Sequence, residues 1–185
     1  MKWLNSVNSY GAATIIIHWL MTLGIIGMFS LGVYMVDLDY YDTWYHRAPE
    51  IHKACGLLLF FLLFLRICWN LYSPPPEQIT SLPKWQRIAA VSTHKLLYIL
   101  VGACAVTGYL ISTAEGQGVD FFGLWVLPAL EPMMNEQEDV AGEWHYYLTY
   151  SLIALSSLHA LAALKHHFFD KDDVLRRMFR ITRNH

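Results

Sequence analysis

The segment from residue 144 to residue 169 restricts the fold most, because it is apolar over most of its length and carries two histidines. His145 and His159 are 14 residues apart. In a helix with ~1.5 Å rise and ~3.6 residues per turn, their rings leave nearly the same face and lie ~21 Å apart along the axis. A bilayer core is ~30 Å thick. One membrane-spanning helix would therefore place an imidazole near each side of a membrane, both facing the same interior, as two stacked metal centres require.

Histidines near helix ends often contact only water or lipid headgroups, so composition is needed to interpret this pair. Hydrophobic residues make up 55% of the 185 residues and charged residues only 15%, which is typical of a membrane protein. At membrane depth, polar side chains are energetically costly and are usually functional. The first apolar run is too long for the apolar region of a secretory signal, so we interpret it as a retained span. We expect one membrane domain over 1–185 and no nucleic-acid partner.

Four apolar runs predict the transmembrane spans, and an up-down-up-down helical bundle is the expected all-α fold. The predicted spans are about 12–36, 51–72, 88–112 and 144–169, followed by a basic tail at 170–185. Three consecutive prolines separate the second span from the third, because proline cannot continue a helix. A long loop at 113–143 joins the third span to the fourth, and the structure of its apolar part stays open.

Lysine and arginine predict the orientation, because cytoplasmic loops carry an excess of both. One side of the predicted bundle carries only Arg47 and Lys53. The other side carries the remaining eleven: Lys2, Arg66, Lys84, Arg87, Lys95, Lys165, Lys171, Arg176, Arg177, Arg180 and Arg183. Both termini are therefore predicted to face the cytoplasm.

Four histidines form two pairs when they are compared by their depth within the predicted spans. His52 and His145 each lie at the outer start of a span that runs inward. His18 and His159 each lie six residues from the inner edge of a span. His94 competes with His18 as the inner partner, but it precedes the apolar part of its span and is expected closer to the membrane surface. His18 is therefore the preferred partner, and His94 stays the alternative.

Two imidazoles at each level indicate haem iron, which takes two axial ligands on opposite faces of a planar macrocycle. Zinc prefers three or four protein ligands, and no Cys-x-x-Cys-His motif for covalent haem attachment occurs. Gly32 and Gly108 fall at the outer level and leave room there, although glycine in membrane helices also serves close packing. Arg66 falls at the inner level, either beside a haem propionate or extended to the lipid headgroups.

Five basic residues gather at the inner ends of the third and fourth spans, the side where we expect a quinone to dock given the family resemblance stated below. They are His94, Lys95, Lys165, His166 and His167. Quinone reduction takes up protons, and histidine can relay them near neutral pH. The alternative for His166 and His167 is contact with headgroups. No role is assigned to His46 or His185.

Several sequence runs resemble the bacterial di-haem cytochrome b561 family. These runs are TIIIHWL at 14–20, EIHKACG at 50–56, SPPP at 73–76, EWHYYL at 143–148 and the segment 156–178. The resemblance covers nearly the whole chain. It implies an inner-membrane four-helix protein with two non-covalent haems b, which exchanges electrons with ubiquinone. It also implies that the axial ligands are His18, His52, His145 and His159.

The resemblance leaves the outer redox partner open. One member of the family oxidises superoxide and passes the electrons to ubiquinone, and related subunits anchor larger oxidoreductases. A non-redox membrane scaffold is the remaining alternative. The predicted outer loops are acidic, with Asp37, Asp39, Asp42, Glu50, Glu115, Asp120, Glu131, Glu136, Glu138, Asp139 and Glu143. This surface would repel superoxide, unless a local funnel of Arg47, Lys53 and His46 overrides the repulsion, and it favours a basic protein or a neutral small donor.

Overall fold

The computed structural model describes residues 2–77 and 82–179 and consists mainly of four long helices. They are α1 (Ala12–Val36), α2 (Arg47–Tyr72), α3 (Lys84–Thr113) and α4 (Gln137–Lys165). A π-helical turn, His166–Asp170, continues α4, and a short 3-10 turn, Arg176–Met178, follows. Each of the four helices is long and apolar enough to cross a membrane. The last residues of the predicted tail, 180–185, lie outside the described part of the chain.

Three helices begin earlier than the apolar runs indicate. The structure has α1 at the predicted bounds, but α2 begins at Arg47, α3 at Lys84 and α4 at Gln137. Hydropathy marks only the apolar part of a helix, whereas charged residues extend the helix into the polar region without breaking it. Acidic residues in the first turn of α4 (Glu138 and Asp139) also stabilise its positive N-terminal end.

The side chains in contact show how neighbouring helices run. The Trp69 indole near the end of α2 donates a hydrogen bond to Thr14 Oγ1 near the start of α1, at 2.9 Å. Arg66 Nε, also late in α2, donates to the hydroxyl of Tyr98 in the first half of α3, at 2.7 Å. The pairs α1–α2 and α2–α3 are therefore antiparallel in the bundle.

A small apolar core lies between the four helices, and large apolar side chains cover the outside. The core consists of Ile17, Met21, Leu63, Leu100, Val101, Cys104 and Leu152. On the outside, Leu23 is 65% exposed and Leu161 is 60% exposed. An apolar surface of this extent is suited to lipid rather than to water.

The loop between α3 and α4 contains a β-hairpin that the sequence did not indicate. Strands β1 (Val119–Phe121) and β2 (Trp125–Leu127) pair antiparallel. Phe121 and Trp125 pack against Phe61 of α2, with ring centroids 6.3 Å and 6.2 Å away. Strands of three residues are too short to give a periodic pattern, so the sequence alone does not assign a structure to this part of the loop.

The polar N-terminal lead is fixed to the bundle by Asn5. Its Oδ1 accepts hydrogen bonds from the Gly11 N–H and the Thr14 hydroxyl, both at 2.8 Å. Its Nδ2 donates to the Ser73 carbonyl at the end of α2, at 2.7 Å. These contacts hold the lead against the end of the bundle that contains the start of α1 and the end of α2.

Candidate functional site

The first histidine pair, His52 of α2 and His145 of α4, faces across the bundle with ring centroids 6.3 Å apart. An imidazole nitrogen lies about 2 Å from a bound metal, with the ring centroid about 1.1 Å further back. Two imidazoles on opposite faces of one metal therefore have centroids about 6 Å apart. The first pair has the spacing that such a metal needs.

The second histidine pair, His18 of α1 and His159 of α4, has nearly the same geometry. The ring centroids are 6.5 Å apart and the rings are inclined at 76°, compared with 75° in the first pair. Both pairs that the depth argument predicted are thus brought together across the bundle. Both centroid separations match the spacing of two imidazoles that hold one metal between them.

His94 lies deeper than predicted. Its ring centroid is only 4.9 Å from that of His159, so the two rings are in direct contact. The expectation that His94 lies close to the membrane surface is therefore wrong. Because α3 begins at Lys84, almost three helical turns precede His94. The 4.9 Å separation is shorter than a metal between the two imidazoles requires, so His94 packs against His159 in this arrangement.

The ring of His145 is oriented by the backbone of α3. Its Nδ1 lies 3.0 Å from the Cys104 carbonyl oxygen and 3.0 Å from Thr107 Oγ1. The Thr107 hydroxyl donates its own proton to a backbone carbonyl of α3, so both oxygens accept from His145. The Nδ1 of His145 therefore carries the proton, which leaves Nε2 with the lone pair that a metal takes.

Glycines make room for both imidazoles of the first pair. A Cβ at Gly32 would lie 3.2 Å from His52 Cε1, and a Cβ at Gly108 would lie 3.2 Å from His145 Cε1. The space that the sequence indicated at these glycines therefore borders the histidine rings directly. His52 Nδ1 is buried and has no hydrogen-bond partner among the described residues. The ring spacing and the space left by the two glycines fit a metal-centred cofactor between His52 and His145.

Arg66 is buried near the second pair. Only 9% of it is exposed, and its Nε donates to the Tyr98 hydroxyl. Asn70 donates to the same hydroxyl at 3.0 Å. The Nη1 of Arg66 is buried without a partner within the described part of the chain. The guanidinium is therefore fixed inside the bundle rather than extended to the headgroups, and it has a free donor for an anion.

The predicted basic cluster separates into residues with different environments. Lys95 is exposed on α3, and His94 packs on His159. His166 Nδ1 lies 2.9 Å from Asp170 and 2.8 Å from Asp172, and the Lys165 ammonium lies 2.6 Å from Asp170. His167, by contrast, borders a cavity, and its Nδ1 is buried without a partner in the described residues.

Sequence reasoning missed the residues that hold these side chains in place. Tyr98 and Thr107 make their contacts across 32 and 38 residues of sequence. No local pattern indicates a contact at such a separation. Asp170 and Asp172 lie close to His166 in the sequence, so the spacing of histidine and acids could have signalled their contact.

Histidine pairs facing each other across a bundle of four membrane-length helices are typical of membrane cytochromes of the b type. The family model for prokaryotic cytochrome b561 matches residues 9–180, and the chain belongs to this family. It is therefore a membrane electron carrier of a family that binds haem b. It is a multi-pass protein of the bacterial inner membrane.

Curated relatives match over nearly their whole length. The chain is 45% identical to "Cytochrome b561 homolog 2" of Escherichia coli (strain K12) over 178 residues, which are 96% of this chain and 95% of the relative. It is 32% identical to "Probable superoxide oxidase CybB" of Yersinia pestis, over 91% of this chain and 94% of the relative. It is 27% identical to "Cytochrome b561 homolog 1" of Escherichia coli (strain K12), over 93% of this chain and 97% of the relative.

Proposed function

We propose that the protein carries electrons through two haems b, one between His52 and His145 and the other between His18 and His159. The observation that carries this proposal is the spacing of the ring centroids, 6.3 Å and 6.5 Å. Helix packing alone does not require two histidine pairs at the spacing of axial haem ligands. Each haem, when bound, supplies a one-electron ferric–ferrous couple.

The protein contributes the positions of the ligands and the charge around them. The Cys104 carbonyl fixes the His145 tautomer, so Nε2 would be the atom that holds the iron. Arg66 would hold a propionate of a haem between His18 and His159 through its buried Nη1, which has no partner in the described residues. An unpaired buried guanidinium would be energetically costly, and a carboxylate offsets that cost.

The bundle crosses the membrane up-down-up-down with both termini in the cytoplasm. The distribution of lysine and arginine supports this orientation, with eleven on the side of the termini and two on the other side. The haem of His18 and His159 then lies nearer the cytoplasm, and that of His52 and His145 nearer the periplasm. Electrons move between a redox partner on the periplasmic side and the quinone pool, with ubiquinone as the expected quinone.

The quinone exchanges electrons at the cytoplasmic ends of α3 and α4. His166 and His167 support this placement, because they follow α4 directly beyond the His159 level. Replacing both with alanine is expected to slow electron exchange with a quinone while the haem spectrum stays unchanged. A stopped-flow measurement with a quinol donor tests this, and an unchanged rate would leave the two histidines as a membrane anchor.

Superoxide oxidation is a second candidate function, favoured by the relative named "Probable superoxide oxidase CybB". The acidic outer loops argue against it, because they repel an anion. A role as the cytochrome b subunit of a larger oxidoreductase also fits an electron carrier. Co-purification from native membranes separates that role from a free-standing protein.

The ligand assignment is tested by haem content in two variants. His18→Ala is expected to lose one of two haems, because His94 is too close to His159 to accept an iron between them. His94→Ala is expected to keep both haems at full content and low-spin. The pyridine haemochrome assay on purified protein measures the content. Loss of a haem in the His94 variant, with retention in the His18 variant, would assign the ligand to His94 instead.

A further inference from the structure

The first histidine pair lies close to one end of the bundle. His52 is five residues from the start of α2 and His145 is eight residues from the start of α4, so both lie roughly 8–12 Å below that end. The α1–α2 loop, residues 37–46, and the α3–α4 loop, residues 114–136, are both at this end. The two loops therefore form the surface nearest to the first pair.

Eleven carboxylates cover this end of the bundle, and we call the surface that they form the acidic face. All of them are exposed, and none forms an ion pair with another described residue. Arg47 and Lys53 are the only basic residues among them in the described part of the chain, so acids exceed bases by nine. The carboxylates are those of Asp37, Asp39, Asp42, Glu50, Glu115, Asp120, Glu131, Glu136, Glu138, Asp139 and Glu143. A charge of this size attracts cationic partners from a distance and repels anions.

Exposed aromatic and sulfur-containing side chains lie in the same two loops as the carboxylates. In the α1–α2 loop, the ring of Tyr40 packs edge-on against Tyr41 and Tyr45, with centroids 5.6 Å and 5.7 Å apart, and Tyr41 is 96% exposed. In the α3–α4 loop, Met133 is 68% exposed and Met134 is 55% exposed. Tyrosine and methionine are enriched at protein–protein interfaces. Large exposed side chains between charged ones are therefore suited to the docking of a protein.

The charge of the acidic face decides between the candidate occupants. Anionic lipid headgroups and small anionic donors are both repelled by it. A neutral small donor gains no attraction from the carboxylates. A basic protein, by contrast, is steered towards the face and forms several ion pairs with it.

We propose that the acidic face docks a basic, soluble one-electron carrier protein, which exchanges an electron with the haem between His52 and His145. One redox centre loses the electron that the other gains, no bond is formed or broken, and no proton is transferred. The inference rests on the proposed function, because it requires that haem, and it names the chemistry of the redox partner that the proposed function leaves open.

The experiment uses mitochondrial cytochrome c, a basic haem protein, as the probe. The purified haem-loaded protein is reduced, freed of reductant and mixed with ferric cytochrome c in a stopped-flow instrument, and the reduction of cytochrome c is followed by absorbance. We expect the second-order rate constant to fall steeply as the salt concentration rises, because salt screens electrostatic steering. Cytochrome c with succinylated lysines is expected to react far more slowly, because its charge then has the same sign as the acidic face.

Two double variants with matched charge changes locate the docking surface. Asp37→Asn combined with Asp39→Asn removes two carboxylates of the acidic face and is expected to lower the rate constant at low salt by roughly 2- to 30-fold, from the strength of two exposed ion pairs. Glu77→Gln combined with Asp173→Asn removes two exposed carboxylates at the opposite end and is expected to keep the wild-type rate. Tyr41→Ser is expected to slow the reaction at high salt as well, because salt does not screen apolar contacts.

The possible errors are separated by four results. A rate constant that is independent of salt, or a wild-type rate in the Asp37 and Asp39 double variant, would overturn docking at the acidic face and leave the proposed function intact. Equal rates with native and succinylated cytochrome c would overturn the basic character of the partner. An unchanged rate in Tyr41→Ser would remove the tyrosines from the docking surface and assign them to the lipid surface. Haem content is measured first, because fewer than two haems in the wild type would contradict the proposed function instead.

Discussion

Gly108→Ala tests whether the space around the His145 imidazole is required for cofactor binding. A Cβ at this position would lie 3.2 Å from His145 Cε1 and 3.5 Å from its Nδ1. Ordinary van der Waals contact begins near 3.4 Å and is comfortable around 3.5–4.0 Å. The imidazole must therefore move by a few tenths of an ångström, although its hydrogen bond to the Cys104 carbonyl resists this movement.

Overpacking of this kind costs about 1–3 kcal/mol. If the cost falls on the haem-bound state, the haem of His52 and His145 is held roughly 5- to 150-fold less tightly. The assay is transfer of haem from the purified protein to excess apomyoglobin, followed spectroscopically. In the variant, one of the two haems should be released faster than in the wild type, and the other should be released at the wild-type rate.

Gly102→Ala is the matched control on the same helix. Its added Cβ would lie 3.7 Å from Leu63 Cδ2, at an ordinary contact distance and away from any histidine. The control is expected to release both haems at the wild-type rate. Equal release from the Gly108 and Gly102 variants would refute the argument that the Gly108 space positions His145.

Two further variants test other contacts. Arg66→Met is expected to release the haem of His18 and His159 roughly tenfold faster or more, because hydrogen bonds to charged groups contribute about 1.5–3 kcal/mol, and an unchanged release rate would remove the propionate contact. Gly11→Ala is expected to lower the unfolding temperature without changing haem spectra, because its Cβ would overlap the Trp3 carbonyl oxygen; an unaltered melting curve would show that the lead adapts freely.

The sequence was informative where a pattern was local and repeated along a helix. The 14-residue spacing of His145 and His159 places both on one face of α4, and the structure finds a partner imidazole opposite each. The bounds of α1 follow from its uniform apolar run. Helix geometry therefore sufficed for these features, because it converts spacing directly into position.

The depth of His94 shows where this reasoning failed. His94 was expected near the surface because it precedes the apolar part of the third span, but its ring contacts that of His159. An error of one helical turn in where the membrane-embedded part of a helix begins shifts the predicted depth by ~5 Å, which is enough to mistake a buried residue for a surface residue.

Contacts between distant parts of the chain had no local signal. The Arg66–Tyr98 hydrogen bond joins α2 to α3, and its partners depend on how the helices rotate against each other. The hairpin packs on Phe61 in the same way, through side chains that no short pattern connects. Such features become visible only when the packing of the bundle is known.

The most direct test of the account is the haem-to-protein ratio of the wild-type protein, purified from membranes of cells supplied with a haem precursor. Haem is measured by the pyridine haemochrome assay and protein by amino-acid analysis, with an absorption spectrum to establish spin state. Two haems b per chain, both low-spin with two nitrogen ligands, are the predicted result. One haem per chain, or none, would contradict the assignment of both histidine pairs as axial ligands.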